Sequence, residues 1–355
     1  MNKIVSFPHM GNYHIPIEYL LKSIFTEDTV KAAPPTTKKT LELGSRHSPD
    51  FVCAPFKYNL GNFIEALDHG ANILVQAGGG CRYRYYGEVQ EQILRDLGYD
   101  FEFIQIFGGN INIFALYRTC KKYRSRISFH RFIYTILLTI RMIRIMDKIE
   151  CYMRENIGFE VEAGSFEKLY QRLLNEVKTV KSFRSLKAIY RKYSNQFARL
   201  KVDKPKDCLK VGLVGELYSL MEPFSSFFIE KELAKNKIAV SRYTTLSFLL
   251  FEKPFKNKKI AKEAAKYLKF HIGADGTMSV AKSLMLAKQG YDGVIHLKPF
   301  GCTPEVNAMP MLQNITKDYK IPILYFSFDS QTSETGIKTR LEAFYDMLMM
   351  RKEKA

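Results

Sequence analysis

Short runs of β-branched and other apolar residues alternate, near both ends of this chain, with stretches whose apolar residues recur at helical spacing. In the first third, strand-like Lys3–Phe7, Thr29–Ala32, Asn72–Gln76 and Phe101–Ile106 are separated by helix-like Ile15–Phe25, Thr36–Arg46, Asn59–His69 and Tyr85–Leu97. In the last third, Leu209–Gly215, Ile238–Val240, Val294–Leu297 and Ile323–Ser327 alternate with helix-like Phe224–Ala234, a helix from the Gly273–Thr277 loop to Gln289, one opening at Thr303-Pro304-Glu305, and one from Thr335-Gly336 to Lys352. Strands that take turns with helices of about 10–15 residues specify parallel sheets covered on both faces. Between the two blocks, Gly109 to Leu200 shows helical spacing only, as in Phe166-Leu169-Leu173-Val177. The expected architecture is α/β, with two Rossmann-like parallel-sheet domains joined by a helical insertion: 1–108, a basic helical subdomain 109–205, and 206–355.

In open parallel sheets, sites form outside the carboxyl ends of the strands. Two cysteines fall there. Cys302 follows Val294–Leu297 and Pro299-Phe300-Gly301, and precedes a helix start in which Thr303 reads as the cap and Pro304 as the first helical residue. Cys81 follows Asn72–Gln76 and Ala77-Gly78-Gly79-Gly80, with a helix beyond it. Cys53 sits in another extended stretch before a helix. Backbone N–H groups and the positive end of a helix dipole favour thiolate, the form that binds metal or attacks. The alternative for each is a small cysteine in a tight turn. Six cysteines, at 53, 81, 120, 151, 208 and 302, include no CxxC pair, so a ready-made zinc ribbon or ferredoxin run is absent. A chain of 355 residues without an apolar leader is expected to be a soluble cytoplasmic protein with thiols rather than a disulfide framework. Phe132–Ile145, the most apolar long run, is interrupted by Arg141 and Arg144 and is too short to span a bilayer. Neither GxGxxG nor GxxxxGK[ST] occurs, which argues against a dinucleotide or nucleoside triphosphate held by those loops.

The net charge of +18 is concentrated: Lys121 to Lys210 holds 22 Lys+Arg against 9 Asp+Glu. That bias fits an anionic partner, whether nucleic acid, a nucleotide-bearing cofactor or an acidic protein face; a solvated helical surface is the plain alternative.

Five segments together resemble the 2-hydroxyacyl-CoA dehydratase component family, in particular its activase-associated branch. They are CAPFKYNLGNFIEAL from Cys53, GGGCRYRYYGEVQEQILRDLGYD around Cys81, VGLVGELYSLMEPFSSFFIEKEL at 211–233, YDGVIHLKPFGCTPE around Cys302, and FDSQTSETGIKTRLEAF at 328–344. The resemblance is specific through the order of the five, and weak over 110–205. It implies that Cys53, Cys81 and Cys302 ligate an iron–sulfur cluster, either [4Fe–4S] or double-cubane. It also implies low-potential electrons from an ATP-dependent activase of the actin-like type, and a lyase reaction in which a 2-hydroxyacyl-CoA loses water through a ketyl radical. Such a protein is expected to be anaerobic, to form a homo- or hetero-dimer, and to keep clear of membranes. Arg82 and Lys57 would add positive field to the cluster; no catalytic residue is assigned. A non-catalytic cluster carrier is the alternative, and a nucleic-acid-binding protein using the basic middle is a less favoured one.

Other residues carry weaker expectations. Cys120, Cys151 and Cys208 read as ordinary thiols. Glu216, Asp275 and Thr277 read as caps or turn residues that could also orient a ligand. Glu334, Thr339 and Arg340 belong to the matched C-terminal run, with a Glu334–Arg340 pair spanning the helix start. His9 and His14 flank a strand-end loop where proton transfer is conceivable. Tyr83, Tyr85 and Tyr86 would pack around a cluster or face a helix groove.

Overall fold

The computed structural model describes the chain except residues 1–2, 26–28, 79–80, 108–113, 115–116, 119–120, 122–126, 253–258 and 355. Its contacts divide it into two compact units: Met1–Ile143 with Val177–Phe183, and Arg144–Glu176 with Arg184–Ala355. The helical stretch is therefore divided between them, and its helix α5 (Phe129–Asn156) contributes to both.

The first unit is built on a parallel sheet of β1 (Val5–Ser6), β2 (Ile73–Ala77) and β3 (Glu102–Phe107), in that order. The segment read as a strand at Thr29–Ala32 lies along the outer side of β1: Val30 bridges Val5, and the N–H groups of Lys31 and Ala33 donate to Val5 and Phe7 carbonyls at 2.9 and 3.0 Å. Helices α1 (His14–Ile24), α2 (Lys38–His47), α3 (Ala54–Asp68) and α4 (Tyr86–Asp96) connect the strands. Because strand side chains alternate, Ile73 and Val75 join Leu21, Ile24 and Phe132 on one face, while Leu74 joins Phe56, Leu60, Phe63 and Leu94 on the other. A sheet buried on both faces explains why these strands are mostly apolar, with Gln76 on β2 as a buried exception.

Helices α2 and α3 touch backbone to backbone. A Cβ on Gly44 would lie 1.7 Å from the Lys57 carbonyl oxygen, and one on Gly61 would lie 1.9 Å from that of Thr40. Thr37 caps α2 in a reciprocal arrangement with Thr40, whose hydroxyl also donates to buried Glu65 at 2.8 Å.

The second unit holds four parallel strands in the order β5-β4-β6-β7: β4 (Lys210–Gly215), β5 (Ala239–Arg242), β6 (Gly293–Pro299) and β7 (Ile323–Phe328). Val211, Leu213, Ile295 and Leu297 pack with Ile337, Leu341 and Phe344 on one face; Val214 and Val294 pack with Val280, Leu284 and Leu312 on the other. The helices are α6 (Ser165–Lys178), α7 (Phe183–Arg199), α8 (Leu217–Met221), α9 (Ile229–Lys235), α10 (Gly276–Lys288), α11 (Thr303–Tyr319) and α12 (Glu334–Glu353). Two α/β units with parallel sheets bear out the expected fold class. Within the second unit, Arg154 and Arg242 share the carboxylates of Glu150 and Glu230, with N···O distances from 2.6 to 3.5 Å, tying α5 to α9 and β5. Burial works to raise the Glu150 pKa, but the two guanidinium groups overcome it and hold the carboxyl below its usual range.

Local boundaries differ from the sequence reading in three places. The helix expected over Phe224–Ala234 is broken, because Phe227 and Phe228 both take left-handed backbone angles between a 3-10 turn and α9. Helix α3 begins at Ala54 rather than near Asn59, so Pro55 lies in its first turn, where a missing N–H costs nothing. In α12, Glu334 pairs with Lys338 at 2.7 Å, one turn on, instead of with Arg340. Arg340 donates to the Tyr325 carbonyl at 2.6 Å and lies over the Phe326 ring. No helix among the described residues is long and apolar enough to cross a membrane.

Candidate cysteine sites at the carboxyl edges of the two sheets

In each unit the chain reverses its winding between two neighbouring strands. β1 is flanked by the Val30 segment on one side and β2 on the other; β4 is flanked by β5 and β6. Crevices at such reversals are where doubly wound sheets bind ligands. The three cysteines of interest lie beside them.

Cys53 is the N-cap of α3, and Cys81 is the N-cap of a 3-10 turn, Arg82–Tyr85, that leads into α4. The two meet at Tyr86. Its hydroxyl lies 2.8 Å from the Cys53 sulfur, and Cys81 is near enough for its charge to act on it. Burial chiefly, then the two sulfurs, push the Tyr86 phenol above its ordinary pKa, with Arg82 working the other way. A phenol so raised keeps its proton and can only donate to a thiolate. Tyr86 packs edge-on to Phe56 at 4.9 Å and beside Tyr83 at 5.2 Å, and Asn59 on α3 donates to the Tyr83 hydroxyl. Both amide atoms of Gln76, buried on β2, have no hydrogen-bond partner among the described residues. Cys81, Arg82 and Tyr85 are exposed, and Lys57 is half-buried one turn into α3. The glycines 79 and 80 before Cys81 lie outside the described residues.

The loop after β1 is fixed from two sides. Asn62 of α3 accepts from the His9 N–H at 2.8 Å, and His14 stacks on His9 at 4.8 Å while bonding the Gly11 carbonyl at 2.8 Å. Burial holds the His14 pKa below its usual value.

In the second unit, Pro299-Phe300-Gly301-Cys302 closes a turn in which the Cys302 N–H donates to the Pro299 carbonyl at 3.2 Å. Gly301 supplies the positive φ, +73°, that such a turn asks of its third residue. Cys302 itself is the N-cap of α11, one residue earlier than the expected Thr303 cap, and Pro304 is the second helical residue. Across the crevice, Gly215 at the end of β4 has φ +138°, and a Cβ there would lie 1.9 Å from the Leu297 carbonyl oxygen. The next residue, Glu216, caps α8, its carboxylate accepting from Tyr218 and Ser219 N–H groups at 2.9 and 3.0 Å. Burial, with the charge of Asp275 adding to it, raises the Glu216 pKa to about 7 against the opposing hydrogen bonds. Asp275, at the N-cap of α10, makes no side-chain cap bond; it accepts instead from the Leu217 N–H at 3.4 Å. Thr277 accepts from the Ile272 N–H at 3.2 Å.

Beneath this edge lies a buried polar set that the sequence reading passed over. His296 on β6 and Glu305 in the first turn of α11 are fully buried and joined Nε2 to Oε2 at 2.6 Å, and the Ser279 hydroxyl donates to Glu305 at 3.1 Å. Lys298, two residues along β6, is 5% exposed. The missed signal was histidine and lysine inside an apolar strand buried on both faces, where polar residues are rare. A second missed signal is that Cys53-Ala54-Pro55 and Cys302-Thr303-Pro304 are the same Cys-Xaa-Pro helix start.

Of the remaining cysteines, Cys120 lies outside the described residues, Cys151 is a half-buried thiol whose pKa burial raises, and Cys208 is half-buried. In the basic middle, α7 carries Arg184, Lys187 and Arg191 exposed on one side and Leu186, Tyr193 and Phe197 buried on the other. Lys122 and Arg124 lie outside the described residues.

Thiols capping helices suit iron–sulfur ligation in kind: soft anionic donors beside N–H groups that favour negative charge. Among the described residues, no group of three or more His, Cys, Asp or Glu side chains could hold a metal ion as they stand. The first unit nevertheless brings two of the three thiols to one tyrosine.

The family model for the D-component of 2-hydroxyglutaryl-CoA dehydratase matches residues 116–348, well over half of the chain, and the chain belongs to that family. The matched span contains Cys302 and the whole second sheet; Cys53 and Cys81 precede it. No curated protein matches the chain.

Proposed function

We propose that this chain holds an iron–sulfur cluster, [4Fe–4S] or double-cubane, through Cys53, Cys81 and Cys302, and works as a component of a 2-hydroxyacyl-CoA dehydratase or a related ATP-coupled reductase. The cluster, when bound, supplies single low-potential electrons for reductive or radical dehydration. An actin-like ATP-dependent activase is the electron donor, and an acyl-CoA the substrate class. The setting is an anaerobic cytoplasm.

The observation that carries this reading is the shared Cys-Xaa-Pro helix start, which sets both Cys53 and Cys302 at the N-cap of a helix. Each thiol can bind as thiolate because its helix terminus offsets the charge. The Tyr86 hydroxyl, 2.8 Å from the Cys53 sulfur, keeps its proton and is the donor when that sulfur is a thiolate. Three thiolates leave one iron of a four-iron cluster without a protein sulfur, open to a substrate oxygen or a bridge. The exposed basic side of α7 fits an anionic partner surface, the activase face or the CoA phosphates.

Anaerobic reconstitution followed by iron and sulfide quantification and electron paramagnetic resonance tests the reading. Wild type should take up four or more irons, about the content of one cubane or more. Cys53→Ala, Cys81→Ala and Cys302→Ala should each lose most of it, and Cys208→Ala none. A triple variant that keeps the wild-type iron content and colour ends the proposal. Turnover of a 2-hydroxyacyl-CoA with activase and ATP separates an enzyme from a cluster carrier.

A further inference from the structure

We infer that Lys298 is a buried cation on the side of β6 that faces the helix start carrying Cys302, and that it eases reduction of the cluster that the Cys302 sulfur carries. The inference rests on the cluster reading above and adds a residue that neither the family match nor the cysteine pattern assigns.

Strand alternation fixes where Lys298 points. In β6, Ile295 and Leu297 pack on the α12 side, so Val294, His296 and Lys298 face α10 and α11. The starts of those two helices meet above it: a Cβ on Gly276 would lie 2.3 Å from the Pro304 carbonyl oxygen. A lysine at 5% exposure is costly by itself, and two positive helix ends make it more so. No hydrogen-bond or ion-pair partner of its ammonium group is present among the described residues. Burial therefore lowers its pKa, and only the charges of Cys302 and Glu305 work to keep it protonated. A cation kept where burial opposes it, on the side of the strand that faces the Cys302 helix start and within reach of its charge, is placed for negative charge that arrives later.

Glu305 fixes the helix start that carries the sulfur. It is the third residue of α11, the position from which a capping-box carboxylate would reach back to the N-cap N–H. Here the Cys302 N–H is already bonded to Pro299, and Glu305 turns inward to Ser279 and His296. Nε2 of His296 serves Glu305, and its Nδ1 is a buried nitrogen with no hydrogen-bond partner among the described residues. One carboxylate thus locks the Cys302 helix start to both β6 and α10. Arg82, by contrast, is exposed to screening solvent.

The test compares wild type, Lys298→Met, Lys298→Arg and the surface control Lys288→Met after anaerobic reconstitution, with iron content and a redox titration monitored by electron paramagnetic resonance. Lys298→Met should keep its iron while one-electron reduction becomes about tenfold less favourable, a midpoint about 59 mV more negative. Lys298→Arg should restore most of that shift and Lys288→Met should show none. Loss of iron in Lys298→Met with retention in Lys298→Arg also supports a charge role. A wild-type midpoint in Lys298→Met, equal shifts in the Met and Arg variants, or loss of iron from both overturns the inference while leaving the cluster reading intact. A wild type that takes up no iron overturns both.

Discussion

The two units wind their sheets in the same order, yet they furnish equivalent positions with different chemistry. In both, the second extended segment lies outside the first strand and the third strand lies on its other side. The helix before that third strand starts at Cys53 in one unit and at Asp275 in the other, and the strand is followed by Cys81 in one and Cys302 in the other. The first edge is two sulfurs around a buried tyrosine; the second is one sulfur among three carboxylates, Glu216, Asp275 and Glu305, with a buried lysine and a histidine. Winding order supplies the helix starts, and side-chain identity decides whether each is soft or charged.

Exchanging chemistry between the edges gives the largest expected effect. Cys53→Asp copies the second edge onto the first and should abolish most iron uptake, read by iron assay after reconstitution; wild-type iron would mean that sulfur at that helix start is dispensable. Next comes Gly215→Ala, which strains a residue at φ +138° and drives a methyl into the Leu297 carbonyl. It should destabilise the second unit by about 4 kcal/mol in urea titration. Glu305→Ala strips His296 and Ser279 of their shared acceptor and should cost about 3 kcal/mol in the same measurement. A comparable effect separates the units by pH. Glu216 has its carboxyl raised to about 7, so it contributes stability fully present below the unfolded value of 4.5 and lost as pH rises through 7. Wild type should therefore lose about 3 kcal/mol more than Glu216→Gln between pH 4.5 and pH 8. Equal slopes would show that this carboxyl does not govern the profile. The smallest is Tyr86→Phe, which removes the hydroxyl at Cys53 for about 1 kcal/mol of stability.

The alternation of apolar runs and helical spacing made both sheets legible, including the Val30 segment, because strands buried on both faces leave a continuous apolar signature. The reversal between Phe227 and Phe228 was not legible, since two phenylalanines carry no marker of left-handed backbone. The helix start at Cys302 was legible from proline, though its cap fell one residue early; at Cys53 the proline went unread, and the helix begins at Ala54 rather than near Asn59. The Glu305–His296–Ser279 contact joins residues 9 and 26 positions apart, and only folding makes such partners neighbours. Glu334 chose Lys338 over Arg340 because residues four apart face each other on a helix and residues six apart do not.

The bare backbone crossing at Gly44 and Gly61 has a consequence for anyone who randomises this protein. With a carbonyl oxygen under 2 Å from either missing methyl group, a library open at these positions should return glycine alone. Alanine scanning would then flag two residues that touch no sulfur as intensely as the cysteines themselves. Reading such a map without checking expression and folding would draw the functional footprint one helix too wide.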